Sequence, residues 1–162
     1  MVTTLGELYL RSREALLETE EPQMAGQMAR DLVSTLSGRT QEQFLVDRDR
    51  EAPEELVLQV LDGVDRLKRG EPLPYVLGEW TFYGLPMVVS PDVLIPRDDT
   101  CALAELAIHR GLFLEKDPRI LDLCCGSGCI GLAIASRLKD ARVTLADLSK
   151  EALTVAKKNI QR

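Results

Sequence analysis

Arg119-Ile-Leu-Asp122-Leu-Cys124-Cys125-Gly126-Ser127-Gly128-Cys129-Ile-Gly131 constrains this chain more than any other stretch. It reads as a short buried strand, residues 120–123, entering a glycine-rich turn. A helix starts at Cys129, with Ile130, Ala133, Ile134 and Leu138 on one side. A second strand follows from Arg142 and ends at Asp147. Ser149 then caps a helix carrying Leu153, Ala156 and Ile160. Strand, glycine turn, helix and strand in this order form the front of a nucleotide-binding α/β sheet.

Glycine in such a turn permits backbone angles that other residues avoid, and it lets the main chain approach a ligand directly. The N–H groups at the start of the following helix then point at that ligand. Asp147 falls at the carboxyl edge of the second strand, where a carboxylate can accept hydrogen bonds from both hydroxyls of a ribose.

Two ligand classes compete for this stretch. Gly126-x-Gly128-x-x-Gly131, with an acid about 20 residues on, fits the dinucleotide pattern. Asp122 favours another ligand. A pyrophosphate over the turn gains nothing from a carboxylate beside it, whereas the ammonium and sulfonium of S-adenosylmethionine do. An acid, then Gly-x-Gly, then an acid ending the next strand resembles a class I methyltransferase. The bland alternative is a turn that only packs helix on strand; it leaves Asp122 and Asp147 without work.

The rest of the chain narrows the field. No apolar run approaches the ~20 residues of a membrane helix, and the first 20 residues lack the basic start and apolar centre of a secretory signal. Cys101, Cys124, Cys125 and Cys129 form neither a disulfide framework nor a paired metal-binding spacing. They read as small side chains packing a turn in a reducing cytoplasm, and no metal site is expected.

Residues 1–70 read as helical. Thr4-x-x-Glu7 is a capping-box pattern, Pro22 opens a second helix, residues 40–47 form a short third, and Pro53-Glu54-Glu55 starts a fourth. Residues 1–74 hold 15 acids and 9 bases, while 75–162 hold 11 of each. The helical part therefore carries the whole net charge of −6. An acidic surface is a poor partner for nucleic acid; it suits a basic protein or simple solvation.

Residues 71–98 gather five of the eight prolines and four of the seven aromatics. Glu79 to Tyr83 alternates as a strand, Gly84-Leu85 suits a tight turn with glycine first, and Met87 to Ser90 returns. Asp98-Asp99-Thr100 then caps a helix with Leu103, Leu106, Ala107 and Ile108, ending near Gly111. His109 in this helix has no evident catalytic partner.

Four segments occur in a telling order: Pro74-Tyr75-x-x-Gly78, Phe82-Tyr83-Gly84-Leu85, Val93-Leu94-Ile95-Pro96-Arg97-x-Asp99-Thr100, and Ile120 to Ile130. From Tyr75 to Arg162 the chain resembles the HemK/PrmC family of protein-glutamine N5-methyltransferases. The resemblance implies an α + α/β architecture: a helical N-terminal domain (1–73), a β-hairpin linker (74–96), and the start of a class I (Rossmann-like) methyltransferase sheet (97–162). It implies methyl transfer from S-adenosylmethionine to the side-chain amide nitrogen of the glutamine in the Gly-Gly-Gln motif of class 1 peptide chain release factors. Cys124, Cys125, Gly126, Ser127, Gly128 and Asp147 fall on cofactor-binding positions, with Asp122 and Thr100 close by. The chain departs from the family pattern at Cys101, where an acid is usual, and at Cys125, where threonine is usual.

The resemblance also implies an Asn-Pro-Pro-Tyr motif that aims the glutamine amide. The only asparagine is Asn159, followed by Ile160, so no residue here is assigned to catalysis. The chain is expected to be the front portion of a longer enzyme and inactive alone. The alternatives are a non-catalytic protein-binding module, or a related methyltransferase acting on a ribosomal-protein glutamine or on DNA adenine.

Overall fold

The computed structural model describes residues 3–113 and 117–162. The chain divides into two compact units, residues 1–77 and 78–162. The segment expected as a linker is split between them.

The first unit is helical: α1 (Leu5–Leu16), α2 (Pro22–Leu36), α3 (Gln41–Val46), α4 (Glu54–Lys68) and α5 (Leu73–Leu77). The Thr4 hydroxyl accepts the Glu7 N–H at 3.2 Å and the Glu7 carboxylate accepts the Thr4 N–H at 3.0 Å, closing the expected capping box. Thr40 and Gln43 close a second one at α3. Each cap satisfies amides that the helix leaves open, worth about 0.5–2 kcal/mol. Leu8, Leu16, Leu32, Val33, Phe44 and Val60 are fully buried in one core. Burying each such side chain stabilises by about 1.5–3 kcal/mol. Helix α5 was not expected. It adds Leu73 and Val76 to the same core.

The second unit starts with an antiparallel hairpin, β1 (Glu79–Phe82) and β2 (Leu85–Val88). Its register pairs Phe82 with Leu85, so the turn is Tyr83-Gly84 rather than Gly84-Leu85. Both turn residues have positive φ, 52° and 76°. That is the pair of angles a type I′ turn needs, and its twist matches the strands. Phe82 and Met87 are thereby buried with Ala104 and Ala133.

Helix α6 (Thr100–Leu112) follows, then β3 (Arg119–Leu123), α7 (Cys129–Arg137), β4 (Arg142–Ala146) and α8 (Lys150–Ile160). β3 and β4 pair in parallel, Asp122 opposite Leu145. One expectation needs correcting here. Asp99 precedes α6 with helical angles and no side-chain cap. The buried face of α6 is Ala104, Ile108 and Gly111, while Leu103 and Leu106 are exposed. The helix ends at Leu112, near Gly111 as expected, and a Cβ on Gly111 would collide with the Leu138 side chain.

β3 is also not buried on both sides. Ile120 packs toward Ile108, Ile134 and Leu138, but Leu121 and Leu123 are 61% and 69% exposed. Alternate residues of a strand face opposite sides, and only one side of this pair is covered among the described residues. In α8 the buried stripe is Ala152, Val155, Ala156 and Asn159; Ile160 is exposed. Ser149 caps it as expected, its hydroxyl accepting the Ala152 N–H at 3.0 Å.

Candidate cofactor site

The turn between β3 and α7 is built from unfavourable backbone angles. Cys124, Gly126 and Gly128 have φ of 61°, 54° and 80°. Glycine takes such angles without penalty; for Cys124 the left-handed region costs about 1–3 kcal/mol and persists only when surroundings enforce it.

Those surroundings are hydrogen bonds from four directions. The Cys125 N–H donates to the Ala146 carbonyl at 3.0 Å, and the Gly128 N–H to the Cys125 carbonyl at 2.8 Å. Asp147 accepts the Gly126 N–H through Oδ2 at 2.8 Å and the Ser149 N–H through Oδ1 at 3.0 Å. Asp122 Oδ2 accepts the Gly131 N–H at 2.9 Å. The buried Asn159 amide donates to the Ser127 carbonyl at 2.9 Å.

The three glycines differ in purpose. A Cβ on Gly131 would collide with Leu145, and one on Gly128 would come within 2.8 Å of the same side chain. Both let α7 lie close on β4. At Gly126 a Cβ would meet nothing within 4 Å. Open space with a left-handed backbone makes Gly126 the place where a ligand can approach the main chain.

Asp122 has a role the sequence did not suggest. Gly128 precedes α7 and has no side chain to cap it, so the strand carboxylate reaches across to the third amide of the helix. This corrects the expectation that the amides starting α7 all point at a ligand: that of Gly131 is taken. Burial pushes the Asp122 carboxyl above its ordinary range. The Gly131 N–H pulls the other way, and the nearby Asp147 charge adds a smaller push. The N–H groups of Ser149 and Gly126 hold Asp147 below its ordinary range. Each Asp147 oxygen spends one lone pair on these bonds, and a carboxylate has about four acceptor sites in all, so it can still accept from hydroxyl groups. Two carboxylates beside one turn favour a ligand carrying positive charge.

Among the cysteines, Cys124 is exposed and Cys125 is buried. Burial raises the Cys125 thiol, with Asp122 and Asp147 adding to it, and burial also raises that of Cys129. Neither has the depressed pKa of a nucleophilic cysteine. Thr100 opens α6 and shares no hydrogen bond with the turn among the described residues. Asn159 was missed as a site residue. Its signal was present: an amide on the apolar stripe of α8, at helical spacing from Ala152, Val155 and Ala156.

Residues 7–78 match the family model described as PrmC N-terminal domain, and residues 104–162 match the methyltransferase small domain. The chain is 34% identical to the release factor glutamine methyltransferase of Escherichia coli K12 over 149 residues, covering 92% of this chain and 53% of that protein. It belongs to the HemK/PrmC family.

Two further HemK/PrmC relatives carry the same description. That of Chlorobaculum tepidum is 38% identical over 86% of this chain and 48% of its own length. That of Vibrio cholerae is 43% identical over 72% and 39%. The chain spans about half the length of the curated relatives it matches, or less. No helix among the described residues is long and apolar enough to cross a membrane.

Proposed function

We propose that the turn 124–128, with Asp147 and Asp122, is the cofactor-binding part of an S-adenosylmethionine-dependent methyltransferase. Gly126 leaves the main chain open to the methionyl portion, Cys124, Cys125, Ser127 and Gly128 shape the turn around it, and Asp147 receives the ribose hydroxyls. The observation that carries this reading is the pair of carboxylates flanking the open main chain at Gly126. They suit an ammonium and a sulfonium and repel the pyrophosphate of a dinucleotide. When bound, the cofactor supplies an electrophilic methyl group. These residues bind and orient it.

The acceptor we propose is the side-chain amide nitrogen of the glutamine in the Gly-Gly-Gln motif of peptide chain release factors, in the cytoplasm. The name of the relatives, release factor glutamine methyltransferase, supports this. An amide nitrogen is a weak nucleophile because its lone pair is shared with the carbonyl, so the acceptor must be held and aimed. No residue of this chain is assigned that task.

Thermal-shift measurements on the chain separate the cofactor classes. S-adenosylmethionine should raise the melting temperature of the second unit, and NADH should not. A shift with NADH alone would favour a dinucleotide. For the acceptor, the complete gene product, labelled cofactor and a release factor should yield labelled glutamine. No label should appear when that glutamine is replaced.

A further inference from the structure

Asn159 sits near the end of α8 and is 6% exposed. A buried amide costs about 1–3 kcal/mol for each group left unpaired, and this one has its donors filled. Oδ1 accepts the Val88 N–H at 2.6 Å, and Nδ2 donates to the Val88 carbonyl at 3.1 Å and to the Ser127 carbonyl at 2.9 Å.

The Val88 contacts have a clear geometric origin. Val88 ends β2 opposite Glu79, and the next amide, that of Val89, donates to the Gly78 carbonyl at 3.1 Å. Bonded and non-bonded pairs alternate along an antiparallel ladder. The N–H and C=O of Val88 therefore point away from β1, to the open edge of the hairpin. The Asn159 amide occupies that edge as the peptide of a third strand would. Its remaining hydrogen reaches Ser127, itself 2% exposed, between two residues of positive φ.

We propose that Asn159 is a positioning residue for the cofactor turn: one buried amide fixes the Ser127 peptide and the hairpin edge in a single arrangement, so that the turn is shaped before a ligand arrives. The proposal rests on reading the turn as the cofactor site. A main-chain ligand site depends on the orientation of each peptide, and a site held by packed groups loses less freedom on binding. The neighbouring Arg162–Glu79 ion pair, at 3.0 Å, ties the residues after α8 to the hairpin but does not touch the turn.

The test compares Asn159→Asp, Asn159→Ser and Arg162→Ala in the 15N-labelled chain. Asn159→Asp keeps the shape and sets a carboxylate against two carbonyl oxygens; Asn159→Ser decides the matter where the aspartate variant does not fold. The amide resonances of Gly126, Ser127 and Gly128 should move in the Asn159 variants without ligand. S-adenosylmethionine affinity from titration should fall at least about tenfold, which is 1.4 kcal/mol. Arg162→Ala should leave both within error of the parent. A role confined to stability would lower the melting temperature while leaving the turn resonances and affinity in place, and that result overturns the proposal. A parent chain whose turn does not respond to S-adenosylmethionine contradicts the cofactor reading instead; the unliganded turn resonances still decide the role of Asn159.

Discussion

The Asp147 carboxylate accepts the Gly126 N–H at 2.8 Å across 21 residues of sequence. The residue after β4 thus holds the Gly126 peptide of the turn in place. Asp147→Ala removes this bond and any bond to ribose hydroxyls. Charge-assisted hydrogen bonds are worth about 1.5–3 kcal/mol each, so cofactor affinity should fall roughly ten- to a thousandfold. Asp147→Asn should fare little better, since one amide oxygen cannot accept from two N–H groups on opposite sides. Calorimetry checks both, and unchanged affinity removes Asp147 from the site.

Acid should expose the same carboxylate. Asp147 has a folded pKa held below its unfolded value. Its contribution is present above the unfolded pKa and disappears as pH falls through the folded one. Asp147→Ala should therefore flatten the acid limb of the second unit's stability curve, measured by melts at successive pH values.

Asp122 carries the opposite sign. Its folded pKa is raised by burial, so the native state holds the extra proton and stability declines as pH rises through that window. Asn at this position still offers an oxygen to the Gly131 N–H and removes the buried charge. Asp122→Asn should melt no lower than the parent at pH 7 yet bind S-adenosylmethionine more weakly, by about tenfold if one favourable charge contact of about 1.4 kcal/mol is lost. A lower melting temperature with unaltered affinity would reverse the assignment.

Gly126 and Gly131 should separate in mutation. Gly131→Ala forces a methyl against Leu145 and should destabilise by about 1–3 kcal/mol, as overpacking does. Gly126→Ala meets no atom within 4 Å and costs only the left-handed backbone, about 1–2 kcal/mol. Its methyl enters the ligand's space, so affinity should suffer more than stability. Melts and titrations of the two variants give the comparison.

Much of this was legible in the chain. Thr4 and Glu7, Pro22, Ser149 and the 119–131 stretch act through local chemistry, and local chemistry can be read from spacing. What escaped depends on contacts distant in sequence. The inward face of α6 is set by where α7 packs, which puts Ala104 rather than Leu103 inside. The hairpin turn moved back by one residue because Tyr83 accepts a left-handed angle that its type disfavours. Asn159 gave no local sign of reaching Val88, 71 residues away. The exposed side of Leu121 and Leu123 likewise belongs to tertiary context.

The two units should differ in independence. Residues 1–77 hold locally capped helices around their own core and should melt cooperatively when expressed alone, by circular dichroism. In the 162-residue chain, residues 97–162 should exchange amide hydrogens faster than 1–74, since Leu121, Leu123 and Leu148 lie exposed. Equal protection in both halves would contradict this. Incubated with labelled S-adenosylmethionine and a release factor, the chain should transfer no methyl above background.

Binding of S-adenosylmethionine at the 124–128 turn can be observed directly. Amide spectra of the 15N-labelled chain, titrated with S-adenosylmethionine and separately with NADH, test it even for weak binding. Saturable shifts should centre on Gly126, Ser127, Gly128 and the Asp147–Ser149 amides with S-adenosylmethionine, and should be absent in Asp147→Ala and absent with NADH. A turn that stays still at saturating S-adenosylmethionine, or moves equally with NADH, would contradict it.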